Sequence, residues 1–161
     1  MRAADWPLRR LFLVECPGNP PGLAADSAHT RGMAEQRESA GVRQRRGQAA
    51  EELAAAYLER RGLKLLARNV RCKLGELDLV CLDGALLVIV EVRQRTRCDF
   101  GGALASITGR KRLKIIRTAH YMLQCSPALR RRRVRFDVLG LEGKPDGAPR
   151  MIWIKDAFRA T

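Results

Sequence analysis

Paired cysteines, long apolar runs and clustered aromatic residues are all missing from this 161-residue chain, and each absence removes a class of function. Its five cysteines, Cys16, Cys72, Cys81, Cys98 and Cys125, never fall in a CxxC spacing, and only His29 and His120 could complete a zinc set. That argues against structural zinc and against a disulfide framework, and the odd count fits reduced thiols. No 18-residue apolar stretch occurs, and the run Leu11-Phe12-Leu13-Val14 is too short for the core of a secretory signal. A soluble, cytoplasmic protein with no membrane span is expected. Aromatic residues make up 5% of the chain, and the helical segments offer no Trp or Phe anchors for a membrane surface.

What the chain has in excess is positive charge, 31 Lys and Arg against 17 Asp and Glu. Residues 1–40 carry five of each sign, so the whole net charge of +14 falls after residue 40. A domain this basic attracts polyanions, of which nucleic acid is the commonest that also uses bound Mg²⁺. The first 40 residues contain Pro7, Pro17, Pro20 and Pro21 and show no sustained periodicity. They read as a disordered extension or a mis-assigned start, with Met33 as an alternative initiator, ahead of one domain over residues 41–161. Starting the chain at Met33 is expected to leave the melting temperature unchanged; a clear fall in thermal denaturation would move the boundary.

The most informative segment is GELDLVCLDGALLVIVEVR, Gly75 to Arg93. Asp83-Gly84 between two apolar runs predicts a β-hairpin with strands near Glu76 to Leu82 and Ala85 to Arg93. Pairing Leu82 with Ala85 sets Asp78 opposite Ile89 and Glu76 opposite Glu91. Glu76, Asp78, Glu91 and Arg93 then share one face, and Asp78 and Glu91 are diagonal neighbours. Cys81 falls on the other face, as core. Two carboxylates facing each other at the end of the buried run ALLVIV repel, and a hard divalent cation is the simplest occupant that offsets the repulsion. A solvated ion-pair cluster, with Arg93, Arg95 or Arg71 neutralising the acids, is the competing reading.

Periodicity supplies the other elements. Residues 48–61 predict a helix with Ala50, Leu53, Ala54, Tyr57 and Leu58 inward, stopped by Gly62. Leu63 to Leu66 and Asn69 to Cys72 read as an extended lead-in and a strand, and residues 94–102 as a polar loop. A second amphipathic helix is predicted over Thr108 to Gln124, with Leu113, Ile116, Ala119, His120 and Leu123 on one face and Arg110, Lys111, Lys114 and Arg117 elsewhere. His120 reads as a helix-face residue. Val134 to Leu141 and Met151 to Lys155 complete the order α, β, β, β, α, β, β, which fits an α/β fold with a mixed central sheet covered by helices.

An early helix with Glu51, Ala54, Tyr57 and Leu58 is followed by Arg68-Asn69, Gly75-Glu76-Leu77-Asp78-Leu79 and Val90-Glu91-Val92-Arg93. Phe100-Gly101, Lys111 and Arg135-Phe136-Asp137 complete the string. In this order the motifs resemble the YraN family of small bacterial proteins, which is similar to the Holliday-junction-resolvase branch of the PD-(D/E)XK nucleases. The match covers residues 43–158. The resemblance implies a restriction-endonuclease-like core and a metal-dependent endonuclease acting on DNA, with branched or damaged DNA among the candidate substrates. It implies that Asp78 and Glu91 bind Mg²⁺ or Mn²⁺, with Glu76 and Glu51 as accessory acids. Arg93 stands where that superfamily has lysine, and because arginine stays protonated it could only stabilise charge or orient a phosphate. Lys73 and Lys111 are alternatives for the displaced lysine, though phosphate contact or plain solvation suits either one. Resolvase-like nucleases often act as dimers, so the resemblance also admits a homodimer.

The run Arg130, Arg131, Arg132 and Arg133 is the densest basic patch, and with no interleaved aromatic rings it suits phosphate contact rather than base stacking. Lys73, Arg95, Lys111 and Lys114 are further candidates for phosphate contact. A non-catalytic nucleic-acid-binding module on the same fold is the alternative to the nuclease.

Overall fold

The structure, a computed structural model, describes residues 33–95, 107–143 and 148–160, without the side chains of 33–40, Arg43 and Arg95. Seven elements follow in the expected order: α1 (Met33–Arg60), β1 (Lys64–Cys72), β2 (Gly75–Asp83), β3 (Leu86–Arg95), α2 (Gly109–Cys125), β4 (Val134–Glu142) and β5 (Arg150–Phe158). The five strands form one mixed sheet in sequence order. β1, β2 and β3 are an antiparallel meander, β4 runs parallel to β3 after the crossover through α2, and β5 closes the sheet antiparallel to β4.

The helices cover opposite faces. Ala50, Ala54, Ala55 and Leu58 of α1 pack on Leu79, Cys81, Val88, Val90 and Leu139, while Ile115, Ala119 and Met122 of α2 pack on Val80, Leu82, Leu87, Ile89 and Phe136. β3 therefore contributes alternately to both cores, which is why its sequence is almost uninterruptedly apolar. Cys81 is buried as expected, and burial pushes its thiol up to about 12, so it acts as a core residue rather than a nucleophile.

Four expectations require correction. The hairpin turn is Gly84-Ala85, since Asp83 pairs with Leu86 and Leu82 with Leu87. Gly84 has φ 59°, and a glycine in the first loop position supplies that left-handed backbone without strain. The register moves by two residues, which brings Asp78 level with Glu91 instead of Ile89, and β2 breaks strict alternation at Asp78, because Leu77 joins the same core as Val80 and Leu82. On α1, Leu53 is exposed, because the narrow alanine stripe lets the helix lie close to the sheet and turns Leu53 away. On α2 the buried stripe is Ile115, Thr118, Ala119 and Met122, one residue round from the expected one, so Leu113 is 54% exposed and His120 also faces solvent. Thr118 can be buried because its hydroxyl donates to the Lys114 carbonyl at 2.9 Å. The segments Leu63 to Leu66 and Asn69 to Cys72 are parts of one strand, β1, bulged between Leu65 and Ala67.

Helix α1 begins at Met33 and so crosses the compositional boundary at residue 40. Residues 1–32 and most of the expected polar loop, with Cys16, Cys98 and the Phe100-Gly101 motif, lie outside the described residues. No helix among the described residues is long and apolar enough to cross a membrane.

Candidate metal centre and its basic groove

The hairpin ladder ends at Leu79 and Val90, and there the backbone pairing is replaced by a side chain: Asp78 Oδ2 accepts the Val92 N–H at 2.8 Å. This fixes the Asp78 carboxylate between the two strands beside Glu91. Both are buried, Glu91 with 3% exposure. A cleft of about 190 Å³ opens over them, lined by Gly47, Ala50 and Glu51 of α1, Glu76 and Asp78 of β2, Glu91 to Gln94 of β3 and Lys111 of α2. Glu51, Glu76, Asp78, Glu91, Arg93 and Lys111, all singled out from sequence, are thus brought together by four elements. Thr108 caps α2, accepting from the Lys111 N–H at 3.3 Å, and so helps hold the turn that carries Lys111.

Each acid has a different environment. Glu91 Oε1 faces Lys111 Nζ at 3.2 Å and Arg93 Nη2 at 3.3 Å, while Glu91 Oε2 is buried with no hydrogen-bond partner. Burial pushes the Glu91 carboxyl up to about 7, the Asp78 charge adds to the rise, and Lys111 and Arg93 hold it back. Burial likewise raises Asp78, against the lowering effect of the Val92 N–H. Glu51 is raised by burial and held back by the Asn69 amide, which donates to Oε2 at 2.7 Å. Glu76 pairs across the β1–β2 ladder with Arg71 at 3.0 Å.

The ion-pair alternative is therefore realised at Glu76 and partly at Glu91, but the two buried carboxylates remain under-compensated. Among the described residues no three His, Cys, Asp or Glu side chains close around a common point. Asp78 and Glu91 supply hard oxygen atoms with Glu76 and Glu51 nearby, and Glu91 Oε2 has no hydrogen-bond partner. Two carboxylates completed by water and ligand oxygens is a set that fits Mg²⁺.

Beside the cleft, and sharing Glu76 and Lys111 with it, lies a groove of about 380 Å³ whose other lining residues are Arg71, Cys72, Gly75 and Lys114. Lys73 is exposed in the neighbouring β1–β2 turn. The Arg130–Arg133 run lies elsewhere. Arg133 accepts the Leu87 N–H on its carbonyl at 2.9 Å, and Leu87 is four residues before Glu91 on β3, about 13 Å along the strand. Arg132 is also a hairpin clamp, donating to the Ala85 carbonyl at 3.1 Å. Arg95 closes β3, level with Glu142, and its side chain lies outside the description.

The Arg135-Phe136-Asp137 motif forms a separate structural knot. Asp137, 0% exposed, accepts from Arg135 at 2.8 and 3.0 Å, from Trp153 Nε1 at 3.0 Å and from the Asp156 N–H at 2.9 Å. Sequence reading missed two supporting residues. Asn69, at φ 51°, positions Glu51, and its place in the Arg68-Asn69 pair was the available signal; Gly47 carried no signal beyond a glycine in a helical run.

A mixed sheet between two helices, with carboxylates gathered at adjacent strand ends, is an α/β protein whose architecture is consistent with a restriction-endonuclease-like core. Residues 50–141 match the family described as "Uncharacterised protein family UPF0102". A UPF0102 protein of Pseudomonas putida (strain GB-1) is 50% identical over 114 residues, 71% of this chain and 93% of the relative. Another, of Xanthomonas campestris pv. campestris (strain B100), is 49% identical over 118 residues, 73% and 94% of the two chains. One from Legionella pneumophila is 45% identical over 118 residues, 73% and 97%. The chain belongs to this family, the YraN family that its motifs resemble.

Proposed function

We propose that the protein is a metal-dependent endonuclease that hydrolyses phosphodiester bonds of DNA at the Asp78–Glu91 cleft, with branched or damaged DNA as candidate substrates. The observation that carries this reading is Glu91, a buried carboxylate beside a second one, with one oxygen lacking any partner. Asp78 and Glu91 would hold Mg²⁺ or Mn²⁺, with Glu76 and Glu51 at the rim. When bound, such a cation supplies Lewis-acid stabilisation of charge on the phosphate and a more acidic bound water. Lys111 and Arg93, which converge on Glu91 Oε1, are placed to orient a phosphate and stabilise charge developing on it. The Arg71, Lys111 and Lys114 groove continues the positive surface away from the cleft for a polyanion.

The second reading is a non-catalytic nucleic-acid-binding module, and one observation favours it: two cationic side chains already face Glu91 Oε1. Residue 93 separates the two. Arg93→Lys is expected to leave DNA affinity nearly constant and to raise Mg²⁺-dependent strand cleavage several-fold, whereas Arg93→Ala should lower both. Tight binding by wild-type and Arg93→Lys proteins without cleavage of branched, nicked or linear DNA would favour the module.

A further inference from the structure

Helix α1 is 28 residues long, yet its first buried residue among those described is Ala50. Of the residues before it, Val42, Gln44, Arg45, Arg46, Gln48 and Ala49 are exposed, and Gly41 and Gly47 are half-buried. Between Glu38 and Glu51 the sequence contains three arginines and no acid. A basic helical arm therefore leads to the mouth of the cleft, and it meets the cleft at Gly47.

Gly47 is anomalous as a helix residue. Glycine is the poorest helix former after proline, and a glycine inside a helix commonly permits a close approach. Here a Cβ at position 47 would meet no atom within 4 Å beyond its chain neighbours and the adjoining backbone of its own helix. No neighbouring element explains its lack of a side chain, and Gly47 is one of the residues that line the cleft.

We propose that Gly47, with Arg46 next to it on α1, is the seat on which a phosphodiester backbone lies as it crosses the acidic cleft. The opposite side of the path is the Arg71 and Lys114 groove, joined to the cleft at Lys111. The absent side chain lets the sugar-phosphate chain approach the helix closely, and Arg46 neutralises a phosphate leaving the cleft. This inference rests on the nucleic-acid reading of the cleft, but not on hydrolysis.

The test is binding of a fluorescently labelled duplex DNA, and of one of its strands alone, to the full chain in EDTA across a salt series. Gly47→Leu is expected to melt at or above the wild-type temperature while weakening binding at least tenfold. Arg46→Gln is expected to reduce the slope of log affinity against log salt by about one. The exposed Arg46 variant decides the matter should Gly47→Leu fail to fold. Wild-type affinity and slope in folded variants would overturn the seat and leave the endonuclease reading intact. Altered binding by the variants, in a protein that never cleaves with Mg²⁺, would uphold the seat and remove only hydrolysis. A wild-type protein that binds neither DNA would overturn both.

Discussion

Replacing Glu91 by glutamine is expected to make the metal-free protein more stable at pH 8 while abolishing its response to Mg²⁺. The Glu91 carboxyl is held at about 7 in the folded protein, against 4.5 for the ordinary group. Between those values the folded state binds more protons than the unfolded one. The stabilising contribution is therefore complete below about pH 4.5 and lost as pH rises towards 7, a decline on the order of 3 kcal/mol. Asp78, raised for the same reason of burial, acts in the same direction. Glutamine keeps the shape without the charge, so Glu91→Gln should flatten stability between pH 5 and 8 and melt above wild type at pH 8. In the wild type, Mg²⁺ should restore stability at pH 8 by binding the native state alone, and Glu91→Gln should lose that rise. Thermal denaturation at several pH values, with and without Mg²⁺, measures all of this. A flat wild-type profile together with a less stable Glu91→Gln would mean that Lys111 and Arg93 fully neutralise the site.

The opposite result is expected at Asp137. Its carboxylate satisfies two Arg135 nitrogens, the Trp153 indole and the backbone N–H of Asp156, all of which lose that acceptor on truncation. Asp137→Ala would leave the largely buried Arg135 with Asp83, at 3.1 Å, as its remaining carboxylate partner and would unpair the Trp153 and Asp156 donors, a combined loss of about 3–5 kcal/mol. In a domain of this size that lowers the melting temperature by about 10 °C or more. Asp137→Asn should lose less, since the amide keeps one acceptor oxygen. An unchanged melting temperature for Asp137→Ala would show that the knot contributes nothing, and would reopen the Arg135-Phe136-Asp137 motif as a functional feature.

The contrast between these two buried acids shows what was legible from sequence. Period-2 alternation grouped Glu76, Asp78, Glu91 and Arg93, and the four do line one cleft, although β2 breaks alternation at Asp78, where Leu77 joins the core of Val80 and Leu82. The shift itself went unseen, since Asp83-Gly84 and Gly84-Ala85 both offer a glycine to the turn, and only the cross-strand packing of Leu82 on Leu87 decides between them. The helix stripes were misplaced for a similar reason: apolar character marked Leu53 and Leu113, whereas the inward positions include Ala55 and Thr118, residues chosen for closeness and a satisfied hydroxyl. Joining Lys111 to Glu91 needed the α2 crossover, which places the start of the helix over the end of β3. The Arg130–Arg133 run was conspicuous as a charge cluster, yet charge density carries no information about which end of the sheet it occupies.

The central claim is that the Asp78–Glu91 cleft hydrolyses phosphodiesters with a divalent cation. Its most direct test is to incubate purified wild-type and Glu91→Gln proteins with branched, nicked and linear DNA in Mg²⁺, Mn²⁺ or EDTA, and to resolve the products by denaturing electrophoresis. The predicted result is cleavage by the wild type with either metal, none in EDTA and none by Glu91→Gln. Intact DNA in every wild-type lane, or equal cleavage by Glu91→Gln, would contradict it.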